Sequence, residues 1–284
     1  MKIPILFKHL AIIISLLIYY GIAPCFSQDP LNPSGDCIRH FPAGSINWTS
    51  GIVTAKGTAA PAKGDTYESV HKTALYDAEV QISKILKQIR INNRFTVGEY
   101  ASATPDITTG LERFSHEAAI SKQIYTSAMA VDITLEINIF GAFLQLVLPE
   151  EIRQLPLIKP SLGQDNDIKD KKLYTGLIVD ASGLGFDPVL DPVIINDHGQ
   201  EVYSSAFISR EYAIHEGVCK YICNQDKALQ DPRIGANPLM LKALRREGKK
   251  NATLVISMAD YEILEKVTER HSFFSECRVI IILE

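Results

Sequence analysis

One long stretch of the sequence carries apolar residues at steps of three and four positions, which is the spacing of one face of an α-helix. The repeat predicts a helix from about Tyr67 to Arg90. Two of its apolar positions are Ala74 and Ala78, so we expect this helix to lie close to its neighbour, which should be a sheet. The apolar positions are Val70, Ala74, Ala78, Ile82, Ile85 and Ile89.

A second stretch, Ala128 to Phe140, alternates apolar and polar residues with a period of two. This alternation predicts a strand with one buried and one solvated face, and therefore an antiparallel sheet with helices on one side. Gly141 should turn the chain, and Phe143 to Leu148 is the predicted hairpin partner. Another strand is predicted from Ile46 to Ala59, with a bend at Gly51.

Shorter patterns predict the remaining elements with the help of turn and capping residues. Asp197-His198-Gly199 predicts a hairpin turn, and Ser257 with Asp260 predicts the start of a helix. The predicted strands are Phe95–Tyr100, Leu173–Val179, Val193–Ile195, Glu201–Tyr203, Leu254–Met258 and Cys277–Leu283, the last buried on both faces. The predicted helices lie in Gly110–Lys122, in Ser209–Cys223, between Asn237 and Gly248, and from Ser257 to about Arg270.

Together these elements predict an α+β fold. Residues 45–150 should form a first domain, an antiparallel sheet packed by helices, and residues 172–284 a second, smaller α/β domain with a buried carboxyl-terminal strand. The polar, proline-containing residues 151–171 predict an interdomain linker; a long surface loop within one domain is the alternative. Residues 28–44 are rich in Pro, Gly and Asp and predict an extended lead-in.

The amino terminus has the pattern of an export signal. Lys2 and Lys8 precede an apolar run of about 11 residues, Leu10 to Tyr20. Small or polar residues follow up to Ser27. The run is shorter than the ~20 residues that span a bilayer. Residues 1–27 are therefore predicted to be a cleavable signal peptide, and the protein to be periplasmic or secreted. An uncleaved membrane anchor is one alternative.

A lipid attached to Cys25 is the other alternative, and it would make the protein an outer-membrane lipoprotein. The segment Ile22-Ala23-Pro24-Cys25 has the apolar and small residues of a lipoprotein motif, although Pro24 fits that motif poorly. Association with a membrane is expected only if Cys25 carries the lipid, because no later apolar run is long enough to cross a bilayer.

The charge of the chain argues against a nucleic-acid partner. The whole chain has a formal net charge of −4, and loss of the two signal lysines makes the exported chain mildly acidic, at −6. A nucleic-acid-binding protein would show a basic patch or stripe instead.

Four cysteines remain after cleavage: Cys37, Cys219, Cys223 and Cys277. An exported chain can pair them in disulfides. We expect Cys219 and Cys223 to share a helix face near the final strand, and Cys37 to lie in a loose lead-in. The predicted disulfide is Cys223–Cys277, with Cys219 as the alternative partner of Cys277; buried thiols are the other possibility. No metal site is predicted, since closed zinc sites need four ligands.

An acidic, glycine-containing loop after the Leu173–Val179 strand is the candidate functional loop. Its candidate residues are Asp180, Ser182, Gly183, Gly185 and Asp187. The loop lacks the Lys-Ser/Thr pair of a phosphate-binding loop and the third glycine of a dinucleotide site. The chain also has no Gly-x-Ser-x-Gly nucleophile motif. We therefore predict no catalytic residue and no cofactor.

The segment from Ile46 to Phe140 resembles a known family. Its strand motif Ala55-x-Gly57-x-Ala59, followed by a helix with Ala74-x-x-x-Ala78, resembles the LPP-type 20-kDa lipoprotein domain and is similar to the N-terminal domain of the flagellar H-ring protein FlgT. The resemblance implies a non-catalytic envelope protein whose partners are other envelope or flagellar basal-body proteins. It brings no catalytic residue to this chain.

These observations predict an exported binding or assembly module. The alternative is an exported hydrolase or carbohydrate-binding enzyme that uses the acidic loop at residues 180–198. A concave pocket holding two convergent carboxylates with shifted pKa values would favour the enzyme, and a flat or convex loop would favour the module.

The predicted signal peptide sets the first residue of the exported protein. Cleavage after Ser27 should leave Gln28 at or near the amino terminus, because small residues precede that bond. Peptide mapping of the exported form checks this prediction. A mature terminus at a lipid-modified Cys25 would overturn it and favour an anchored lipoprotein.

Overall fold

The amino-terminal half contains an antiparallel sheet of five strands. The computed structural model describes residues 34–126, 128–148, 173–248, 250–267 and 270–283, so the predicted signal peptide, Cys25 and the predicted linker lie outside the described residues. The strands are β1 (Ile38–Phe41), β2 (Gly44–Asn47), β3 (Ile52–Ala59), β4 (Ala119–Tyr125) and β5 (Val131–Asn138). Their order across the sheet is β1-β2-β3-β5-β4. The predicted strand Ile46–Ala59 is therefore divided in the structure: its first residues belong to β2 and its last residues to β3. The chain turns between the two strands near Gly51, whose φ is 73°.

Helix α1 (Tyr67–Gln88) packs on this sheet and confirms the helix that the apolar stripe predicts. All six stripe residues are buried. The contact with β3 is close: a Cβ on Gly57 would lie 2.1 Å from the Ala78 nitrogen and 2.3 Å from the Ala74 oxygen. A glycine on the strand facing two alanines on the helix allows the two backbones to approach this closely.

Between α1 and β5, one predicted element is wrong in type and another is a helix, as predicted, with different bounds. Phe95–Tyr100, predicted as a strand, contains the start of helix α2 (Val97–Ala103). The Glu99 amide donates to the Thr96 hydroxyl at 3.2 Å, and the Thr96 amide donates to the Glu99 carboxylate at 2.6 Å. This capping box starts a helix where the short apolar run suggested a strand. The helix predicted over Gly110–Lys122 is α3 (Pro105–His116), which ends before β4 begins.

The segment after β5 is a helix rather than the predicted hairpin strand Phe143–Leu148. Helix α4 (Ala142–Val147) follows Gly141, whose φ is 80°. Phe143, Leu144 and Val147 of this helix are buried. That spacing gives a helix a single apolar face, so packing against the core decides the structure here.

The carboxyl-terminal half contains two four-stranded sheets. Its strands are β6 (Leu177–Asp180), β7 (Val193–Asn196), β8 (Glu201–Tyr203), β9 (Lys220–Ile222), β10 (Leu239–Lys242), β11 (Arg245–Glu247), β12 (Thr253–Ile256) and β13 (Val279–Ile282). They form a parallel sheet in the order β10-β6-β13-β9 and a mixed sheet in the order β11-β12-β7-β8. All residues of β13 are buried, which confirms the predicted carboxyl-terminal strand. The predicted hairpin at Asp197-His198-Gly199 is also confirmed, as the turn between β7 and β8.

Among the residues that the structure describes in this half, four short α-helices and the 3-10 helices Ser205–Phe207 and Pro232–Ile234 connect the strands. The α-helices are α5 (Arg210–Glu216), α6 (Gln225–Gln230), α7 (Met258–Lys266) and α8 (Arg270–Ser275). The Asp260 amide donates to the Ser257 hydroxyl at 3.0 Å, which confirms the predicted start of α7. The helix predicted between Asn237 and Gly248 is wrong, because that segment forms β10 and β11. Buried and exposed residues alternate along β10, which is the period of a strand.

The architecture is α+β, as predicted, with the larger sheet in the amino-terminal half. Buried apolar side chains of both halves belong to one continuous core. The Leu190 amide donates to the Arg90 carbonyl at 3.0 Å, and the Asp191 amide donates to the Ile91 carbonyl at 2.8 Å.

A helix that spans a membrane has to be long and mostly apolar. Among the described residues, no helix is both long and apolar enough to cross a membrane.

The close contact of α1 with β3 predicts a large effect for Ala78→Glu. Ala78 is fully buried, and a carboxylate there would have no partner in an apolar contact. We expect the free energy of unfolding to fall by ~3 kcal/mol or more. Urea denaturation checks this. Tyr76→Glu, at a position 66% exposed on the same helix, is the control and should change stability by less than about 0.5 kcal/mol. Equal stability of the two variants would show that this helix face is not core.

Candidate binding edge

Strand β4 lies at the edge of the five-stranded sheet, and all seven of its residues are exposed. On one side it pairs with β5; within the described residues, no strand pairs with its other side. Such an edge leaves backbone N–H and C=O groups without strand partners, and another chain can pair with them. The placement of α1 explains the exposure, since this helix packs mainly over β3 and β5.

The register with β5 shows which β4 side chains share a face. The pairs are Ala119 with Glu136, Ile120 with Leu135, Lys122 with Thr134, Gln123 with Ile133, Ile124 with Asp132 and Tyr125 with Val131. Opposed residues of antiparallel strands point to the same side. The β5 partners of Ile120, Gln123 and Tyr125 are buried, so these three residues lie on the helix side of the sheet. Lys122 and Ile124 lie on the opposite face.

The first turns of α1 flank the helix side of this edge. The rings of Tyr67 and Tyr125 lie 5.0 Å apart between centroids. The Nε2 atoms of His71 and Gln123 are 3.4 Å apart, and the Tyr125 hydroxyl donates to Gln123 Oε1 at 3.0 Å. Both tyrosines remain exposed. The edge therefore has a neighbouring aromatic pair that can contact an added strand.

Two features of β4 limit what can pair with it. Lys122 stands at the midpoint of the strand and is its one charged residue. The register shifts between Ile120 and Lys122, so Ser121 lies in an irregular position like that of a β-bulge. The first residues of β4, up to Lys122, fall in the predicted helix Gly110–Lys122, so the sequence pattern indicates neither this strand nor a role for it.

The predicted functional loop starts at the carboxyl end of β6, and its residues hold their own turn. The Ser182 amide donates to the Asp180 carboxylate at 2.9 Å. Gly183 and Gly185 have φ angles of 74° and 60°, a region of backbone conformation that favours glycine. The glycines that the sequence offers as candidates for ligand binding thus have a conformational role in the turn.

The fifth candidate residue, Asp187, is engaged by arginines from the other half of the chain. Its carboxylate lies 3.2 Å from an Arg90 guanidinium nitrogen and 3.9 Å from one of Arg39. The Arg246 guanidinium donates to the Gly185 carbonyl. The structure therefore brings three arginines to this loop, and none of them is among the residues predicted for it. Their positions depend on contacts that are distant in sequence.

In the 180–198 segment, Asp191 has a carboxylate whose pKa is raised. Burial raises its pKa from 3.8 to about 6, and nearby Glu201 contributes in the same direction, whereas hydrogen bonds from Ser205 lower it. The Ser205 amide and hydroxyl each lie 3.2 Å from a carboxylate oxygen of Asp191. Asp191 is almost fully buried, so its carboxylate faces its own chain rather than an open cleft.

The predicted disulfide Cys223–Cys277 is wrong, because Cys223 pairs with Cys37, with 5.2 Å between the Cα atoms. The lead-in is held rather than loose: the Cys37 amide donates to the Thr49 hydroxyl at 2.9 Å, and the Trp48 amide donates to the Cys37 carbonyl at 2.8 Å. The helix predicted within Ser209–Cys223 is present as α5 (Arg210–Glu216), but it ends before Cys219, so the placement of the two cysteines on that helix is wrong. These cysteines flank β9, so about 13 Å of extended chain separates them.

Cys219 and Cys277 are buried free thiols. Burial raises the pKa of each to about 12, so both are protonated and poorly nucleophilic at neutral pH. In the part of the chain that the structure describes, no group of three or more His, Cys, Asp or Glu side chains could hold a metal ion.

The carboxyl-terminal half matches a known family model. Residues 176–284 match the family model described as Treponema pallidum Tp0624, second domain. The matched segment begins just before β6 and contains both sheets of that half. No curated protein matches the chain.

The buried carboxylate generates a prediction for stability against pH. Because the pKa of Asp191 is higher in the folded than in the unfolded chain, ionisation costs stability as pH rises from about 4 to about 6. Asp191→Asn keeps polar atoms near Ser205 and removes this cost. The free energy of unfolding of the variant should equal that of the wild type near pH 4 and exceed it by up to ~3 kcal/mol above pH 7. Thermal melts across this range check it; a constant difference at all pH values would contradict it.

Glu99 supplies a control of opposite sign. Hydrogen bonds from Lys250 and Thr96 lower the pKa of Glu99, so its charged form stabilises the fold above its unfolded pKa, and that stability is lost as pH falls through the folded pKa. Glu99→Gln should therefore be less stable than the wild type at neutral pH and approach it in acid. Because the two variants should change stability with pH in opposite directions, together they separate the ionisation of each substituted carboxylate from the effect of pH on the whole chain.

Proposed function

We propose that this chain is an exported, non-catalytic module of the cell envelope that binds or assembles with another protein through the open edge of β4. The observation that carries the proposal is the exposure of all seven β4 residues at a sheet edge. The signal-peptide pattern supports a periplasmic or secreted location, and a lipid on Cys25 would make the chain an outer-membrane lipoprotein instead. The resemblance of residues 46–140 supports envelope or flagellar basal-body proteins as partners.

The mechanism follows from strand geometry. A partner segment in extended conformation would form backbone hydrogen bonds with the free side of β4, and these bonds would supply affinity with little dependence on sequence. Side chains of the added strand would alternate between the two faces. On one face they would meet Tyr125 and Tyr67, and on the other Lys122 and Ile124. Selectivity would come from these four side chains.

The second candidate function is an exported hydrolase or carbohydrate-binding enzyme that uses residues 180–198. The raised pKa of Asp191 favours it, because shifted carboxylates cluster at active sites. Three observations favour the structural role of this segment: Asp180 bonds its own turn, Asp187 faces Arg39 and Arg90, and Asp191 is buried against Ser205. The binding module is therefore the better-supported proposal.

Site-specific photo-crosslinking in the envelope of the producing cell tests the proposal. A photoreactive amino acid at Ile124 should give discrete adducts with another protein, because this side chain borders the open edge. Leu229 on α6 is the matched control, since both side chains are 43% exposed. Crosslinking should be at least several-fold weaker from the control position. Equal adducts from both positions, or none from Ile124, would refute a partner at β4.

A further inference from the structure

The charge pattern of β4 narrows the kind of strand that can pair with it. Lys122 is the one charged residue of the strand, and it stands at the midpoint. Within the sheet it lies opposite Thr134, an uncharged residue, so the β5 side chain directly beside it does not neutralise the ammonium group. Asp132 and Glu136 are diagonal neighbours on the same face of β5, and Asp132 already pairs with Lys56 of β3 at 2.7 Å. A residue added on the free side of β4 would stand directly opposite Lys122 and would add the nearest charge on that side.

The same lysine disfavours pairing between two copies of the chain. A symmetric antiparallel pair that uses the whole of β4 would place Lys122 directly opposite Lys122 of the second copy, and opposed like charges are destabilising. The irregular register at Ser121 further disrupts regular pairing. A single lysine and a bulge are devices by which edge strands avoid association with their own copies. The occupant should therefore differ from β4 and carry the opposite charge.

The β4 side chains next to Lys122 determine which residue types suit the other positions of the added strand. In an antiparallel added strand, read from its amino terminus, the residues opposite Tyr125, Ile124 and Gln123 come in that order before the residue opposite Lys122. Ile124 offers an exposed apolar side chain on the Lys122 face, and Tyr125 with Tyr67 offers an aromatic surface on the helix side. Gln123, beside His71, offers a polar position. An antiparallel strand continues the existing sheet, in which all neighbouring strands are antiparallel.

We infer that β4 binds an extended segment of a different protein, antiparallel to β4, with the pattern apolar-apolar-polar-acidic and the acidic residue opposite Lys122. This inference rests on the proposed function, because it names the partner of the same edge. Backbone pairing supplies the affinity, and the acidic residue supplies the selectivity. The chemistry required is that of a short acidic β-strand or an unstructured acidic segment that becomes extended when it binds.

Two synthetic peptides and a charge reversal test this inference. The first peptide is acetyl-Thr-Val-Val-Thr-Glu-Thr-Thr-amide, and the second has Lys in place of Glu. Titration into the isotopically labelled exported chain is followed by NMR, which detects millimolar binding and locates it on individual amides. The Glu peptide should shift the β4 amides and bind about three- to ten-fold more tightly than the Lys peptide. In Lys122→Glu this preference should reverse.

Lys242→Glu is the matched control, because Lys242 is also an exposed lysine on an edge strand, β10. This variant should keep the wild-type preference for the Glu peptide. No shift of β4 amides at millimolar peptide, or a preference that does not reverse in Lys122→Glu, overturns the inference. Concentration-dependent shifts of β4 amides without peptide would also overturn it, because they would identify a second copy as the occupant.

The peptide titration and the crosslinking from Ile124 can fail independently of each other. Adducts from Ile124 together with an absent or non-reversing peptide preference would leave a partner at β4 but refute its acidic pattern. Absence of Ile124 adducts would refute the partner itself. A reversing preference together with Ile124 adducts to a different protein supports both proposals.

Discussion

The close approach of helix α1 to strand β3 is the contact on which the amino-terminal half depends. Gly57 presents no side chain to the helix, and Ala74 and Ala78 present only methyl groups, so backbone meets backbone. Larger residues at these positions would separate the layers and open cavities beside neighbouring core residues such as Ile133. The contact also fixes where α1 lies across the sheet. Because the helix is centred on β3 and β5, its side chains do not bury the outer strand.

The exposed edge strand is thus a consequence of core packing as well as a candidate binding surface. A seven-residue edge with Ile120, Ile124 and Tyr125 exposed would be prone to self-association if it were regular and uncharged. Lys122 and the irregular register at Ser121 reduce that tendency at the middle of the strand. The same features leave the two ends of the strand unhindered, so in the binding that we propose, Lys122 would both oppose self-association and select an acidic partner.

Strong periodicity decided which elements the sequence could predict. The α1 stripe and the alternation in β5 each extend over many residues and match one period only, and both are confirmed. Short apolar segments matched two periods: Phe95–Tyr100 became a helix through the Thr96–Glu99 capping box, and β10 became a strand through its place in the parallel sheet. The Cys37–Cys223 disulfide joins residues 186 positions apart. Its pairing depended on a lead-in whose anchoring to Thr49 and Trp48 has no local signal.

The candidate binding edge illustrates a more general limit on prediction from sequence. A half-buried strand is visible because one face selects apolar residues, which produces a period of two. Strand β4 is exposed on both faces, so no such selection acts on it. Its apolar residues Ile120 and Ile124 are four apart, a spacing that also suits a helix. The pairing with β5 makes this segment a strand, and that pairing is a tertiary contact. An edge strand that is exposed on both faces therefore carries a weak strand signal.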